Sequence, residues 1–340
     1  MTEHPAAPRI SIALATFNGI RFLREQLQSL SGQTWLPCEL VVADDGSSDG
    51  TQAELERFVK VAPFPVRVLP AQSRQGSTRA FERAIYTCGG DVIALCDQDD
   101  RWHLEKLQRF ANALEAEPAA GWVFSDGHVM DLAGQPVGSS LWHEFGVDPS
   151  VPSGPADRLL DLTVNSRIPG CTLAFRTVYR DLILPFPADP AGCAIRHDAW
   201  MISLVEAVAP SVAIKQPLMS YRVHSGQEIG LREAGMNGRM RNGLKRAFTA
   251  KRTGPAADLH RRLAAIELLR TRLSEHLDSV RARASLCQLD KLRTHLHARA
   301  SIARARLPGR IARASAEWRL GHYQRYSSGI YSAAADVLRR

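Results

Sequence analysis

No stretch of this 340-residue chain is apolar for the roughly 18–20 residues that a membrane-spanning helix needs. Cysteine is scarce. The six residues, at 38, 88, 96, 171, 193 and 287, include no C-x-x-C pair, which argues against a disulfide framework and a zinc site. The opening Met1-Thr-Glu-His-Pro-Ala-Ala-Pro-Arg9 lacks a basic-then-apolar leader, so a reducing, cytoplasmic setting is expected. Also missing is a phosphate-cradling glycine loop. The first apolar run ends in Thr16-Phe-Asn-Gly19, neither G-x-G-x-x-G nor G-x-x-x-x-G-K-[ST], which disfavours a dinucleotide dehydrogenase and a P-loop ATPase. What is present is an ordinary globular balance of 45% hydrophobic and 23% charged residues, in a length that favours two domains.

The net charge of +8 conceals a division. Residues 1–231 carry 19 Lys and Arg against 27 Asp and Glu, a net of −8, whereas residues 232–340 carry 24 against 8, a net of +16. A domain boundary is therefore expected near residue 232.

The acidic half alternates short apolar runs with helical patterns. Strands are expected at 9–15, 39–43, 65–69, 91–96 and 121–124, and helices at about 20–30, 51–61, 78–88 and 103–117. That alternation implies right-handed βαβ crossovers and a mostly parallel sheet. Ligands of such sheets bind beyond the carboxyl ends of the strands. Three of these strands end in acids: Asp44 and Asp45; Asp97, Asp99 and Asp100; and Asp126. A strand buried on both faces has no need of acids at its end, so their concentration points to a cation-dependent site. A bound nucleotide diphosphate would be neutralised there by Mg²⁺ or Mn²⁺, since Mg²⁺ takes one or two carboxylates plus phosphate oxygens. The competing account of Asp97–Asp100 is capping of the helix from His103, where acids are favourable by about 0.3–1 kcal/mol each. One acid suffices for a cap.

Six segments in order then resemble the family-2 glycosyltransferases of GT-A fold, in the branch containing bacterial rhamnosyltransferases of cell-surface polysaccharide synthesis. They are Ala15-Thr-Phe-Asn-Gly19, Val42-Ala-Asp-Asp-Gly-Ser-Ser-Asp-Gly-Thr51, Cys96-Asp-Gln-Asp-Asp-Arg-Trp102, Ile168-Pro-Gly-Cys-Thr172, His197-Asp-Ala-Trp200 and Tyr221-Arg-Val-His-Ser225. The resemblance covers roughly residues 9–230 and implies a GT-A nucleotide-diphospho-sugar transferase fold, Rossmann-like, with an α-helical extension behind it. It implies a dTDP- or UDP-sugar donor and a saccharide or polyprenyl-linked glycan acceptor. A non-catalytic nucleotide-sugar or glycan-binding subunit of the same fold is the alternative.

Individual roles follow from the same resemblance. Asp97 and Asp99 form the D-x-D element, Asp99 on the metal and Asp97 on the donor ribose or the metal. His224 is a candidate third ligand or a surface residue. Ala15, Phe17, Asn18, Asp44 and Asp45 border the nucleoside, with Asp44 accepting from the pyrimidine N–H and Phe17 against the ring or in the core. Arg74 and Arg79 stand where relatives carry Asn-x-Gly then Asn-Phe, and with Arg222 are candidates for the diphosphate. Gly170 borders the donor sugar. Asp198 is the catalytic base of an inverting displacement, which requires one carboxylate to deprotonate the acceptor hydroxyl. His197 and Trp200 flank it, Trp200 against an acceptor sugar or in the core.

The basic half reads as helical. Leu259, Leu263, Ile266, Leu273, Leu277 and Val280 form one stripe on a helix of about 25 residues, Leu286, Leu289 and Leu296 mark a second, and Trp318–Leu338 gives one or two more. Its cations leave three readings open: a solvated or intramolecular face, a peripheral contact with the anionic cytoplasmic leaflet of the membrane, and nucleic-acid phosphates. The last lacks a recognisable motif.

Overall fold

Ile10–Thr16 is apolar almost throughout and forms strand β1, buried along its length in the computed structural model, which describes residues 7–70, 73–147, 168–188, 195–224, 227, 255–327 and 329–338. Such continuous runs are what a strand covered on both faces requires. β2 (Glu39–Asp44) and β4 (Val92–Cys96) flank β1 in parallel, and β3 (Val66–Val68) pairs β2 in parallel. Helices α1 (Ile20–Ser31), α2 (Thr51–Val59) and α3 (Ser77–Thr87) make the crossovers.

The remaining elements are β5 (Arg101–Trp102), α4 (Lys106–Ala116), β6 (Trp122–Met130), β7 (Pro136–Ser140), α5 (Leu141–Phe145), β8 (Leu173–Arg176), α6 (Arg180–Ile183), α7 (His197–Val208) and β9 (Ser211–Arg222). The nine described strands form one sheet ordered β3-β2-β1-β4-β8-β6-β9-β5, with β7 on β6. The longer pairings are parallel, while β8 runs antiparallel between β4 and β6. The first three strands progress outward from β1 and β4 returns to its other side, so the direction of winding reverses between β1 and β4. In an open α/β sheet that reversal opens a crevice at the strands' carboxyl ends.

Ile10, Ile12 and Leu14 cluster with Leu23, Leu27 and Leu30 of α1, Leu55 and Phe58 of α2, and Leu107 and Phe110 of α4. Phe81, Ala84 and Ile85 of α3 are buried outside that cluster, which assigns α3 to the opposite face. Strand β6 runs six residues beyond the expected end at Phe124, to Met130. Asp126 therefore lies within a strand, its Oδ1 accepting from the backbone N–H groups of Gly127 (2.7 Å) and Trp142 (2.9 Å), and is no strand-end acid.

Glu54 ties α2 to α1. Its buried carboxylate accepts from Arg57 and from Arg24 (3.0 Å), and these bonds hold its pKa down at about 2 against an ordinary 4.5. Because the folded value is depressed, the contribution is complete above pH 4.5 and is lost as pH falls through about 2. Glu54→Gln is expected to lower stability by about 1–3 kcal/mol at neutral pH. In urea unfolding the gap to the parent should hold from pH 8 to 5 and narrow below pH 4.5.

The chain has a second compact unit, whose described helices lie between Pro255 and Leu338. It comprises α8 (Pro255–Ser274), α9 (Val280–Ala303), α10 (Leu307–Arg319), α11 (His322–Tyr326) and α12 (Ile330–Leu338). Leu259, Leu263, Ile266, Leu269 and Leu273 are buried along α8, but the expected single stripe does not continue to Val280. The helix stops at Ser274, Ser279 caps a new one by accepting from the Ala282 N–H at 3.0 Å, and Val280 is exposed. The boundary expected at 231/232, like Ser225 and Cys193, lies outside the described residues. Cys38, Cys88, Cys96, Cys171 and Cys287 are free thiols. No helix among the described residues is long and apolar enough to cross a membrane.

Candidate active site

A cavity of about 380 Å³ lies where β1 and β4 diverge, lined by Ala15, Thr16 and Phe17 after β1, Asp45 after β2, and Asp97, Gln98 and Asp99 after β4. Arg74, Gly76, Ser77, Thr78 and Phe81 form a second wall at the start of α3, and Gly170, Arg196, His197, Tyr221, His224 and Gln227 complete it. The size is ordinary for a small-ligand pocket.

Gln98 sets the first wall. Its amide donates to the Phe17 carbonyl and accepts from the Phe17 N–H, both at 2.9 Å, and so fixes the β1 loop to the β4 loop. A Cβ at Gly19 would lie 2.1 Å from Gln98 Oε1, so a larger residue there would displace the Gln98 amide from this position. Asn18 takes a left-handed φ of 46° and bonds the β2 loop, donating from its N–H to Ser47 Oγ and accepting from the Ser48 N–H. It binds loop to loop and is not among the residues lining the cavity.

The two adjacent acids after β2 divide their work. Asp45 faces the cavity and accepts from the N–H groups of Gln75 (2.7 Å) and Gly76 (2.8 Å) at the entry to α3. Asp44 is buried beneath it, accepting from Thr16, Ser47 and Gln52. Burial pushes the Asp44 carboxyl up, but those hydrogen bonds outweigh it and leave the group below the ordinary carboxylate value. The expected contact of Asp44 with a pyrimidine is thus corrected, since its lone pairs are spent inside the loop. Phe17 lines the cavity with the Arg74 guanidinium 4.1 Å from its ring centre.

Asp97, Asp99 and Asp100 converge at the end of β4. Burial, and then repulsion from Asp99, raises Asp97 to about 7 and holds Asp100 well above the ordinary value. Asp100 Oδ2 is buried without a hydrogen-bond partner, and Asp99 Oδ2 lies 2.8 Å from His224 Nε2. Ligand atoms of Asp97, Asp100 and Cys171 lie within 4.8 Å of one another. Burial keeps the Cys171 thiol protonated, and a soft sulfur does not suit a hard cation. The carboxylates and one imidazole suit Mg²⁺ or Mn²⁺, and a divalent cation would relieve both the repulsion and the orphaned oxygen. Beneath them the buried Lys106, lowered to about 8 by desolvation, donates to the Cys171 carbonyl at 2.6 Å and lies 3.9 Å above the Trp102 ring.

Asp198 occupies the first turn of α7, packed behind Gly170, where an added Cβ would meet the Asp198 Cβ at 3.4 Å. Its Oδ2 accepts from Arg196 at 2.7 Å. Arg196 reaches the cavity wall and Asp198 is not itself a lining residue. His197 lines the cavity, stacked on Phe81 with ring centres 4.7 Å apart.

Three expected site residues point elsewhere. Trp200 is core, its indole donating to the Ile183 carbonyl at 2.8 Å, because α7 is buried almost all round. Arg79 pairs with Glu82 at 2.6 Å and donates to the Phe186 carbonyl. Arg222 is buried with its guanidinium on the carbonyls of Asp99 and Asp131 and on Glu25, while its N–H meets Asp100. It braces the acid loop instead of reaching a ligand. Gln98 and Arg196 were not read from the sequence. Nor were the two helix starts at Ser77 and His197, whose first residues line the cavity and present partial positive charge to an anion.

Residues 11–183 match the family model described as glycosyl transferase family 2. An uncharacterised glycosyltransferase of Nostoc sp. is 25% identical over 223 residues, covering 64% of this chain and 65% of that one. The dTDP-rhamnosyl transferase RfbG of Shigella flexneri is 24% identical over 228 residues, 64% of this chain and 73% of that protein. The match spans less than two thirds of the first of these curated relatives. Among solved structures, S. aureus TarS residues 1–349 in complex with UDP-GlcNAc superposes with a TM-score of 0.57 at 14% identity, over 98% of this chain and 93% of that one. At that identity the likeness is one of fold, the GT-A arrangement.

Proposed function

The chain belongs to glycosyltransferase family 2, and from that premise we propose that it is an inverting, metal-dependent transferase that moves a sugar from a nucleotide-diphosphate donor to a saccharide or lipid-linked glycan acceptor in cell-surface polysaccharide synthesis. The observation that carries this is the convergence of Asp97, Asp99 and His224 in the same cavity as Asp45, Phe17 and Arg74, with Asp198 one side chain behind it. dTDP-L-rhamnose is the first donor proposed, on the likeness to RfbG, and a UDP-sugar the second, on the likeness to TarS.

Each residue has a task in that reading. Asp45 receives the nucleoside's N–H, and Phe17 with Arg74 holds the ring plane. Arg196 and the starts of α3 and α7 meet the diphosphate. Asp97, Asp99 and His224 hold the Mg²⁺ or Mn²⁺, with Asp100 braced by Arg222 beside them. When bound, the cation is a Lewis acid that lowers the cost of charge building on the leaving diphosphate. Asp198 takes the proton of the acceptor hydroxyl once Arg196 turns toward the diphosphate. A base whose hydrogen bond tightens only in the reacting complex behaves in this way. Residues 1–231 form the catalytic domain and 232–340 a basic helical domain, whose cations are read as facing an anionic membrane surface.

The test is thermal unfolding with dTDP-rhamnose, UDP-glucose or UDP-galactose, each with Mg²⁺ or Mn²⁺. A true donor at a hundredfold excess over its dissociation constant stabilises by about 2.7 kcal/mol, an upward shift of several degrees. An unchanged midpoint with every pair would count against the proposal.

A further inference from the structure

The segment 304–338 contains only two acids, Glu317 and Asp336. Both turn inward. Glu317 Oε2 meets His295 Nδ1 at 2.6 Å and His322 Nδ1 at 2.9 Å, and the Asp336 carboxylate pairs with Arg299 at 2.7 Å and accepts from Tyr323 at 2.8 Å. The cations do the reverse. Arg304, Arg306, Arg313 and Arg319 are exposed. The outer surface of this segment is therefore cationic with no acid to offset it.

Large apolar side chains are exposed on the same segment. On α10, Leu307, Ile311 and Trp318 fall within about 40° of one another around the axis at 100° per residue. They are 56%, 50% and 40% exposed, and Leu320, just beyond, is 65% exposed. On α12, Ile330, Tyr331 and Leu338 are likewise exposed. A globular helix hides its apolar stripe. Here only Ala314, on the same side of the helix, is fully covered, against Ile302 and Tyr323, and the larger residues around it stay 40–56% exposed. A second copy of the chain is a poor occupant, because the helical half carries +16 and two such faces repel.

We propose that α10, with its exposed Leu307, Ile311 and Trp318 and its flanking arginines, is an interfacial helix that docks on an anionic lipid bilayer. This rests on the membrane reading above and deepens it by naming the face. The apolar stripe enters the boundary between headgroups and acyl chains, the arginines meet lipid phosphates, and the Trp318 indole sits at headgroup depth, where amphipathic rings are favoured. Docking thus needs both the stripe and the charge.

Flotation of the full chain with vesicles of phosphatidylcholine containing 30% phosphatidylglycerol tests it, beside pure phosphatidylcholine. The parent is expected on the anionic vesicles at low salt and to be released by 0.5 M NaCl. The triple variant Leu307→Ser, Ile311→Ser, Trp318→Ser should partition about tenfold less, with its unfolding midpoint and donor-induced stabilisation unchanged. Arg306→Glu with Arg319→Glu should lose binding to a similar extent. Equal binding of parent and triple variant would overturn the assignment of this face while leaving the membrane reading standing. Absence of the parent from anionic vesicles at low salt would overturn both. A parent that dimerises through residues the triple variant lacks, without floating, would assign the stripe to a second copy and overturn the proposal.

Discussion

Asp198→Asn is expected to lower sugar transfer by roughly 10²–10⁴-fold while leaving donor-induced thermal stabilisation intact. The asparagine keeps the shape of the side chain and can still accept from Arg196 through its carbonyl, so the first turn of α7 and the Gly170 contact should persist. What it loses is the ability to take a proton. An inverting displacement depends on one base, so nothing else in the cavity wall substitutes; His197 is held against Phe81. The measurement is initial rate at saturating donor beside the unfolding midpoint with donor. Full activity in the variant would remove Asp198 from the mechanism. Loss of donor stabilisation together with activity would mean that the substitution had damaged the cavity.

The second large effect is expected at Asp99. Asp99→Asn should cost roughly 10²–10³-fold in transfer and abolish the dependence of donor binding on Mg²⁺ or Mn²⁺. Asp99 carries the hydrogen bond to His224 and, through its carbonyl, the bond from Arg222, so it links the proposed ligands to the brace beneath them. The side-chain substitution removes charge from the first and leaves the second. Chelation of the cation in the parent should reproduce the variant. The two substitutions thereby separate: Asp198→Asn stabilised by donor and cation together, Asp99→Asn by neither beyond the cation-free value. Unaltered cation dependence in Asp99→Asn would transfer the ligand role to Asp97 and Asp100, whose carboxylates also converge.

Which parts of this site were legible in the sequence has a physical pattern. The strand-end acids were legible because β1, β2 and β4 read as unbroken apolar runs, and a charged residue that ends such a run has few places to be. Which of two adjacent acids faces the cavity was not, since neighbours at a strand end point to opposite sides. A single residue of register therefore puts Asp45 on the cavity wall and Asp44 inside the loop. Arg222 and Trp200 lie in motifs that surround the site but turn into the core, and what turns them is a partner distant in sequence, Asp99 and Ile183, while Arg79 is drawn aside by Glu82 one turn along its own helix and by the Phe186 carbonyl. β5 and β7–β9 escaped notice for the same reason. They are short or irregular, and β5, β8 and β9 are defined by pairing with strands distant in sequence. Gln98 is the instructive omission, because it sits between Asp97 and Asp99 and looks like a spacer. Its amide is what joins the β1 and β4 loops into one cavity wall.

The central claim is group transfer from a nucleotide sugar, and mass spectrometry of the reaction products tests it most directly. The purified chain would be incubated with Mn²⁺, pooled nucleotide sugars including dTDP-rhamnose, and saccharide and polyprenyl-diphosphate-linked glycan acceptors. The account predicts an acceptor heavier by one sugar residue and an equal amount of released nucleoside diphosphate, both absent with chelator and both lost in Asp198→Asn. Donors left intact and acceptors of unchanged mass across the whole pool would contradict it.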